Sequence, residues 1–119
     1  MPRKSAQSVA ASAGGVVIAC PVERAIHVIG GKWKLLLLRS LLLNGPQGYN
    51  ELLTSVTGIS AKELTRNLRE LTAAGLIEQK PRAASRLTPY TLTKSGKGLM
   101  PTFKSLLTWG NRHLPAAPA

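Results

Sequence analysis

The stretch from Ser60 to Gly75, SAKELTRNLRELTAAG, constrains this chain more tightly than any other. Ser60 followed by Glu63 is a capping box: the hydroxyl accepts from an amide of the first turn, and the carboxylate reaches back to the amide of the cap. Gly75 can take the left-handed conformation that ends a helix at little cost. Between these limits Leu64, Leu68 and Leu71 recur at i, i+4 and i+7 and share one face. At about 100° per residue, Lys62, Thr65, Arg66 and Arg69 gather on the opposite face, and Glu63 and Glu70 fall together to one side. The spacing predicts a helix of about four turns, seated by leucines, with an acid-free basic face turned outward. Such a face suits a groove of DNA. A solvated outer surface is the plainer alternative, and the flanking segments weigh on that choice.

Upstream, Tyr49 to Val56 predicts a brief helix with Leu52, Leu53 and Val56 inward, and Thr57-Gly58-Ile59 makes a tight turn into Ser60. A short helix, a glycine turn and a longer basic-faced helix together form a helix-turn-helix. After Gly75 the period changes. Leu76 to Lys80 and Tyr90 to Thr93 have the pattern of strands, joined by Pro81 to Pro89, which carries Arg82 and Arg86. A hairpin with a basic loop directly after such a helix is a wing, from which Arg82 and Arg86 can lie on phosphates or enter a minor groove.

The remaining segments complete a mainly α chain with one small β-hairpin. Met1 to Gly15 is rich in Ser, Ala and Gly, carries Arg3 and Lys4, and shows no periodicity, so residues 1–15 are expected to form a flexible tail. Cys20 to Ile29 predicts a short helix, with Pro21 at its first position, Val22, Ile26 and Ile29 on one face, and Gly30-Gly31 as its stop. Lys32 to Leu43 is apolar nearly all round and should be the core helix, ended by Asn44-Gly45-Pro46. Thr93 can cap a last helix running from Lys94 to Leu114, where Leu99, Met100, Phe103, Leu106, Leu107 and Gly110 share a wide arc. Pro101 inside that pattern requires a kink near Lys97 or a late start. The domain is thus expected over 16–114, with 115–119 a frayed end.

Length and charge narrow the class of function. At 119 residues there is room for one domain. Sixteen Lys and Arg against five Asp and Glu give a formal charge of +11, which favours a polyanionic partner: DNA, RNA or an anionic membrane surface. No apolar run approaches the roughly 18 residues of a membrane span. A single Cys allows no intrachain disulfide, and there is no Cys/His cluster for zinc, so neither metal nor cofactor is expected and the chain should be cytoplasmic.

These residues resemble the HxlR-type winged helix-turn-helix regulators of bacteria and archaea. The resemblance runs from Cys20 to Trp109 and rests on Cys20-Pro21, Ile29-Gly30-Gly31-Lys32-Trp33, Tyr49-Asn50-Glu51-Leu52, Gly58-Ile59-Ser60, Leu64-Thr65, Leu68-Arg69-Glu70-Leu71, Gly75-Leu76-Ile77, Tyr90-Thr91-Leu92-Thr93 and Gly96, in that order. It implies a homodimeric transcription regulator paired through its first and last helices, with the second helix of the helix-turn-helix in the major groove. It also implies an oxidant- or electrophile-sensing role for Cys20, since several members of the family use a cysteine at this place. The chain departs from the family in a wing lacking an aromatic residue and in a longer segment before Cys20.

The expected partner is double-stranded DNA, a pseudo-palindromic operator with half-sites about one turn apart. Arg66 and Arg69 are the base-reading candidates, because a guanidinium can bond bidentately to guanine; Thr65 can meet a thymine methyl or a phosphate. Ser60, at the cap, is also assigned to the interface, while Lys62 and Asn50 fit phosphate positioning. Cys20 lies at a helix N-cap, whose positive end favours an anionic sulfur, with Arg24 one turn on; a buried, inert thiol packing the dimer seam is the alternative. Catalysis is not expected. Cys20 and His27, the one conceivable nucleophile and base, are separated by about 10 Å of helix rise. The rival readings are a nucleic-acid binder without sequence preference, which only five aromatic residues disfavour for RNA, and a regulator governed by a small-molecule ligand.

Overall fold

The computed structural model describes residues 9–12, 15–81 and 88–116. Its elements are β1 (Val9–Ser12), β2 (Gly15–Ile18), α1 (Pro21–Ile29), α2 (Lys32–Asn44), α3 (Tyr49–Ser55), α4 (Ala61–Ala73), β3 (Ile77–Gln79), β4 (Tyr90–Leu92), α5 (Lys94–Lys97) and α6 (Met100–His113). The architecture is mainly helical with a small antiparallel hairpin after α4, in which Ile77 pairs with Leu92 and Gln79 with Tyr90. This is a winged helix-turn-helix.

The leucine spacing read from the sequence builds the core. Leu37, Leu38, Leu52, Leu64, Leu71 and Ile77 are fully buried, and Leu41, Val56, Ile59, Leu68, Leu76 and Leu92 complete the cluster. Each large side chain removed from water contributes about 1.5–3 kcal/mol relative to an exposed one. α2 runs through this cluster and packs against α3, α4 and β4. It is not enclosed on every side: Leu43, at its C-terminal end, is 71% exposed. The residue lies in the last turn, just before the chain leaves the helix at Gly45, and among the described residues no element covers it.

α4 follows the expected limits closely. Ser60 Oγ accepts from Glu63 N–H at 3.1 Å, and Glu63 Oε1 accepts from Ser60 N–H at 3.1 Å. At the far end Gly75 has φ +80°, and Leu76 N–H reaches back to the carbonyl of Leu71 at 3.1 Å. This satisfies carbonyls that a helix end otherwise leaves unpaired. Thr93 then ties the hairpin to that end: its hydroxyl donates to Gly75 C=O at 2.6 Å and accepts from Gly96 N–H at 3.1 Å. Gly96 is obligatory here, because a Cβ would lie 2.2 Å from the carbonyl oxygen of Leu76.

One feature follows the sequence reading, which placed a kink near Lys97 or a late helix start at Pro101, and one departs from it. The last helix is divided: α5 ends at Lys97, and α6 starts at Met100 with Pro101 in its first turn, where a missing N–H costs nothing. Upstream, Val9–Ser12 pairs with Gly15–Ile18 as an antiparallel hairpin, with Val9 opposite Ile18 and Ser12 opposite Gly15. The expected tail through Gly15 therefore gives way to strand from Val9 onward. The β-branched run Val16-Val17-Ile18 favours strand, and a partner strand satisfies its backbone without the alternation that would have marked it in sequence.

Candidate nucleic-acid interface

α4 presents its outward face as the sequence predicts. Lys62, Thr65, Arg66 and Arg69 are all exposed, while Leu64, Asn67, Leu68 and Leu71 are buried beneath them. Among the described residues neither arginine forms an ion pair. The two acids of the helix are both engaged on the side facing α2. Glu63 Oε2 accepts from the indole N–H of Trp33 at 2.8 Å, and Glu70 Oε1 lies 3.0 Å from Lys34 Nζ. The hydrogen bonds from Ser60, then Trp33 and the charge of Arg66, hold the Glu63 carboxyl below its ordinary value of 4.5. The Lys34 ammonium does the same for Glu70. Both groups are therefore ionised at neutral pH; their direct side-chain partners on α2 are Trp33 and Lys34, while Arg66 acts on both only through its charge.

Thr65 is less free than its position suggests. Tyr49 Oη donates to the carbonyl of Ala61 at 3.0 Å, so the 2.9 Å contact between Tyr49 Oη and Thr65 Oγ1 must use the threonine hydrogen. This leaves the methyl group and the oxygen lone pairs of Thr65 for a ligand. The same contact pins the start of α3 to the first turns of α4 and fixes the angle between the two helices. Asn50, second residue of α3, is exposed. Ser60 is exposed too, although its oxygen is occupied as the cap. A groove of about 410 Å³ runs between α4 and the hairpin, lined by Tyr49, Thr65, Arg69, Thr72, Gln79 and Tyr90 among others. Arg82 and Arg86 lie outside the described residues.

Cys20 is the N-cap of α1 and is half-buried, with no side-chain capping bond; its carbonyl accepts from Arg24 N–H at 2.9 Å. His27 is exposed further along the same helix. No described helix is long and apolar enough to cross a membrane.

The polar residue that the sequence did not single out is Gln47. Its backbone pairs in both directions with Tyr90, at 3.0 and 2.8 Å, which joins the segment between α2 and α3 to β4. Its buried amide donates to Ser40 Oγ at 3.0 Å and to Ser40 C=O at 3.1 Å, and accepts from Ser55 Oγ at 2.9 Å. The 2.9 Å contact between Ser40 Oγ and Ser55 Oγ closes a ring in which each hydroxyl donates once. A glutamine in a Gly- and Pro-containing loop looks solvated in sequence. Here it is the bolt between the helices and the wing.

A helix-turn-helix with an unobstructed basic face, followed by a hairpin, is found in many regulators, and comparison with known proteins narrows the field. The HxlR-like helix-turn-helix family matches residues 28–118. The chain belongs to that family. This HxlR-type chain is 38% identical over 96 residues to an uncharacterised HTH-type transcriptional regulator of Methanothermobacter thermautotrophicus, covering 79% of this chain and 72% of the relative. Its fold is similar to that of the redox regulator HypR in its oxidised form, with a TM-score of 0.70 and 33% identity over 82% of this chain and all of the other. It is similar also to quinone-bound YodB from B. subtilis, with a TM-score of 0.67 and 28% identity, covering 79% of this chain and 99% of that one. The HxlR-type chain is thus a DNA-binding transcription regulator rather than an enzyme.

Proposed function

We propose that this HxlR-type regulator is a homodimeric, sequence-specific repressor that reads a pseudo-palindromic operator with two copies of α4. The observation that carries the reading is the exposed state of Arg66 and Arg69, which form no ion pair among the described residues, with the two neighbouring carboxylates bonded to Trp33 and Lys34 of α2. Arg66 and Arg69 bond base edges, Thr65 offers its methyl to a thymine, and Lys62, Ser60 and Asn50 hold phosphates, with Arg82 and Arg86 assigned to the wing. Arg66→Ala should lose discrimination at one base position, at about 1–3 kcal/mol. Equal weakening on every duplex would make Arg66 a phosphate contact instead.

Pairing through α1 and α6 is supported by what these helices leave uncovered. Neither contains a buried residue. Ile26 is 61% exposed and Leu107 65%, and Val22, Leu106, Trp109 and Leu114 are exposed with them. Apolar surface on this scale marks an interaction face.

The likeness to HypR and YodB supports a further element: control through Cys20. Cys20 stands at the N-cap position of the very helix assigned to the seam, so a modification there alters how two copies meet. With one thiol per chain, diamide would take one hydrogen from each of two Cys20 thiols, joining their Sγ atoms and leaving the reduced hydrazide. A quinone would instead be attacked at a ring carbon by the thiolate, forming a thioether. Operator binding by wild type and Cys20→Ser, with and without diamide, tests this. Loss of the oxidant response in the serine variant supports the sensor; an identical response in both removes it.

A further inference from the structure

Arg66 occupies a hazardous position for a base-reading residue. It lies three residues after Glu63 and four before Glu70, the two spacings at which opposite charges meet on a helix surface. Left free, either carboxylate would compete with DNA for the guanidinium. Both carboxylates are instead held by consecutive residues of the first turn of α2. Trp33 takes Glu63 through its indole N–H at 2.8 Å, and Lys34 takes Glu70 at 3.0 Å. The Lys34 side chain is only 16% exposed, so its ammonium is directed inward at Glu70 rather than outward at a phosphate. Trp33 is partly buried against the core, with Lys32 Nζ 4.6 Å above its ring and Gly58 of the helix-turn-helix at its edge.

We infer that Trp33 and Lys34 are positioning residues for operator recognition: they sequester the two carboxylates flanking Arg66 and so keep its guanidinium available to a base. The inference rests on the reading that α4 faces DNA. It assigns to Trp33 and Lys34 of the first turn of α2, whose polar groups are engaged with α4, a share of the sequence selectivity.

The consequence is an asymmetry that a merely structural ion pair would not produce. Losing Lys34 alone releases a carboxylate onto Arg66, whereas losing Glu70 alone releases only a buried-side ammonium, and losing both removes the competitor altogether. Binding would be measured to a duplex selected from a random pool with the wild-type protein, and to a scrambled duplex of equal length. The quantity read is the ratio of the two affinities. Lys34→Gln should lower that ratio about twofold, the scale of one released helical ion pair; its repulsion of DNA weakens both duplexes alike and leaves the ratio untouched. Glu70→Gln should leave the ratio unchanged or raised. Lys34→Gln/Glu70→Gln, which has the wild-type net charge, should restore it. Trp33→Phe paired with Glu63→Gln provides a second series, and thermal melting of each variant reports folding. If Glu70→Gln lowers the ratio as much as Lys34→Gln and the double variant stays low, the pair is only structural and the inference fails. An unchanged ratio in every variant also overturns it. Failure of the underlying reading has its own signature: Arg66→Ala would then leave the ratio intact.

Discussion

The Gln47 ring offers a sharp quantitative test. Gln47→Met keeps the length and volume of the side chain and removes its amide. Three hydrogen bonds disappear: two donated to Ser40 and one accepted from Ser55. Each is worth about 0.5–1.5 kcal/mol net, and the carbonyl of Ser40 loses the amide donor that reaches it across a buried site. Against this, Ser40 and Ser55 stay 2.9 Å apart and can keep their mutual bond. The expected loss is about 2–4 kcal/mol, a large fraction of the roughly 5–15 kcal/mol that holds a domain of this size together. Urea unfolding followed by circular dichroism measures the total. Hydrogen exchange adds the location: the amide of Tyr90, bonded to the carbonyl of Gln47 at 2.8 Å, should lose protection before those of α4. A loss under about 1 kcal/mol, with Tyr90 still protected, would refute the view that this ring fastens the wing to the helices.

Two further expectations follow from groups already described. Glu63 and Glu70 are more acidic in the folded chain than their ordinary value of 4.5, so their contribution to stability is complete above that value and is lost as pH falls through the lowered ones. Glu63→Gln retains an acceptor for Ser60 and Trp33 but does not titrate, and its melting temperature should therefore decline less steeply on acidification than that of wild type. Ile26→Glu should convert a dimer into a monomer by sedimentation equilibrium while leaving the urea midpoint of the isolated chain nearly unchanged, since Ile26 is largely exposed within one copy. A persistent dimer would move the seam elsewhere.

How much of this was readable in sequence depends on the range of the interaction. The limits of α4 are local signals: Ser60 and Glu63 are three residues apart, and Gly75 closes the helix whose leucines recur at fixed spacing. The outward set of Lys62, Thr65, Arg66 and Arg69 follows from the same periodicity. The bond from Trp33 to Glu63 spans 30 residues, and that from Ser40 to Ser55 spans 15, so neither leaves a periodic trace. Asn67 illustrates a different limit. It falls on the leucine side of α4, where a polar residue looks out of place, and it is buried there because its amide donates to the carbonyl of Glu63 at 2.7 Å. The strand at Val9–Ser12 was illegible because small residues without alternation carry no mark of strand.

The short link Gly30-Gly31 gives α1 an unusual independence. The helix beyond it is attached to the fold by covalent continuity and a few contacts, and the leucine cluster would survive its loss. Under the pairing proposed above, changes in the outward side chains of that helix would alter which second copy is accepted without disturbing the leucine cluster that seats α4.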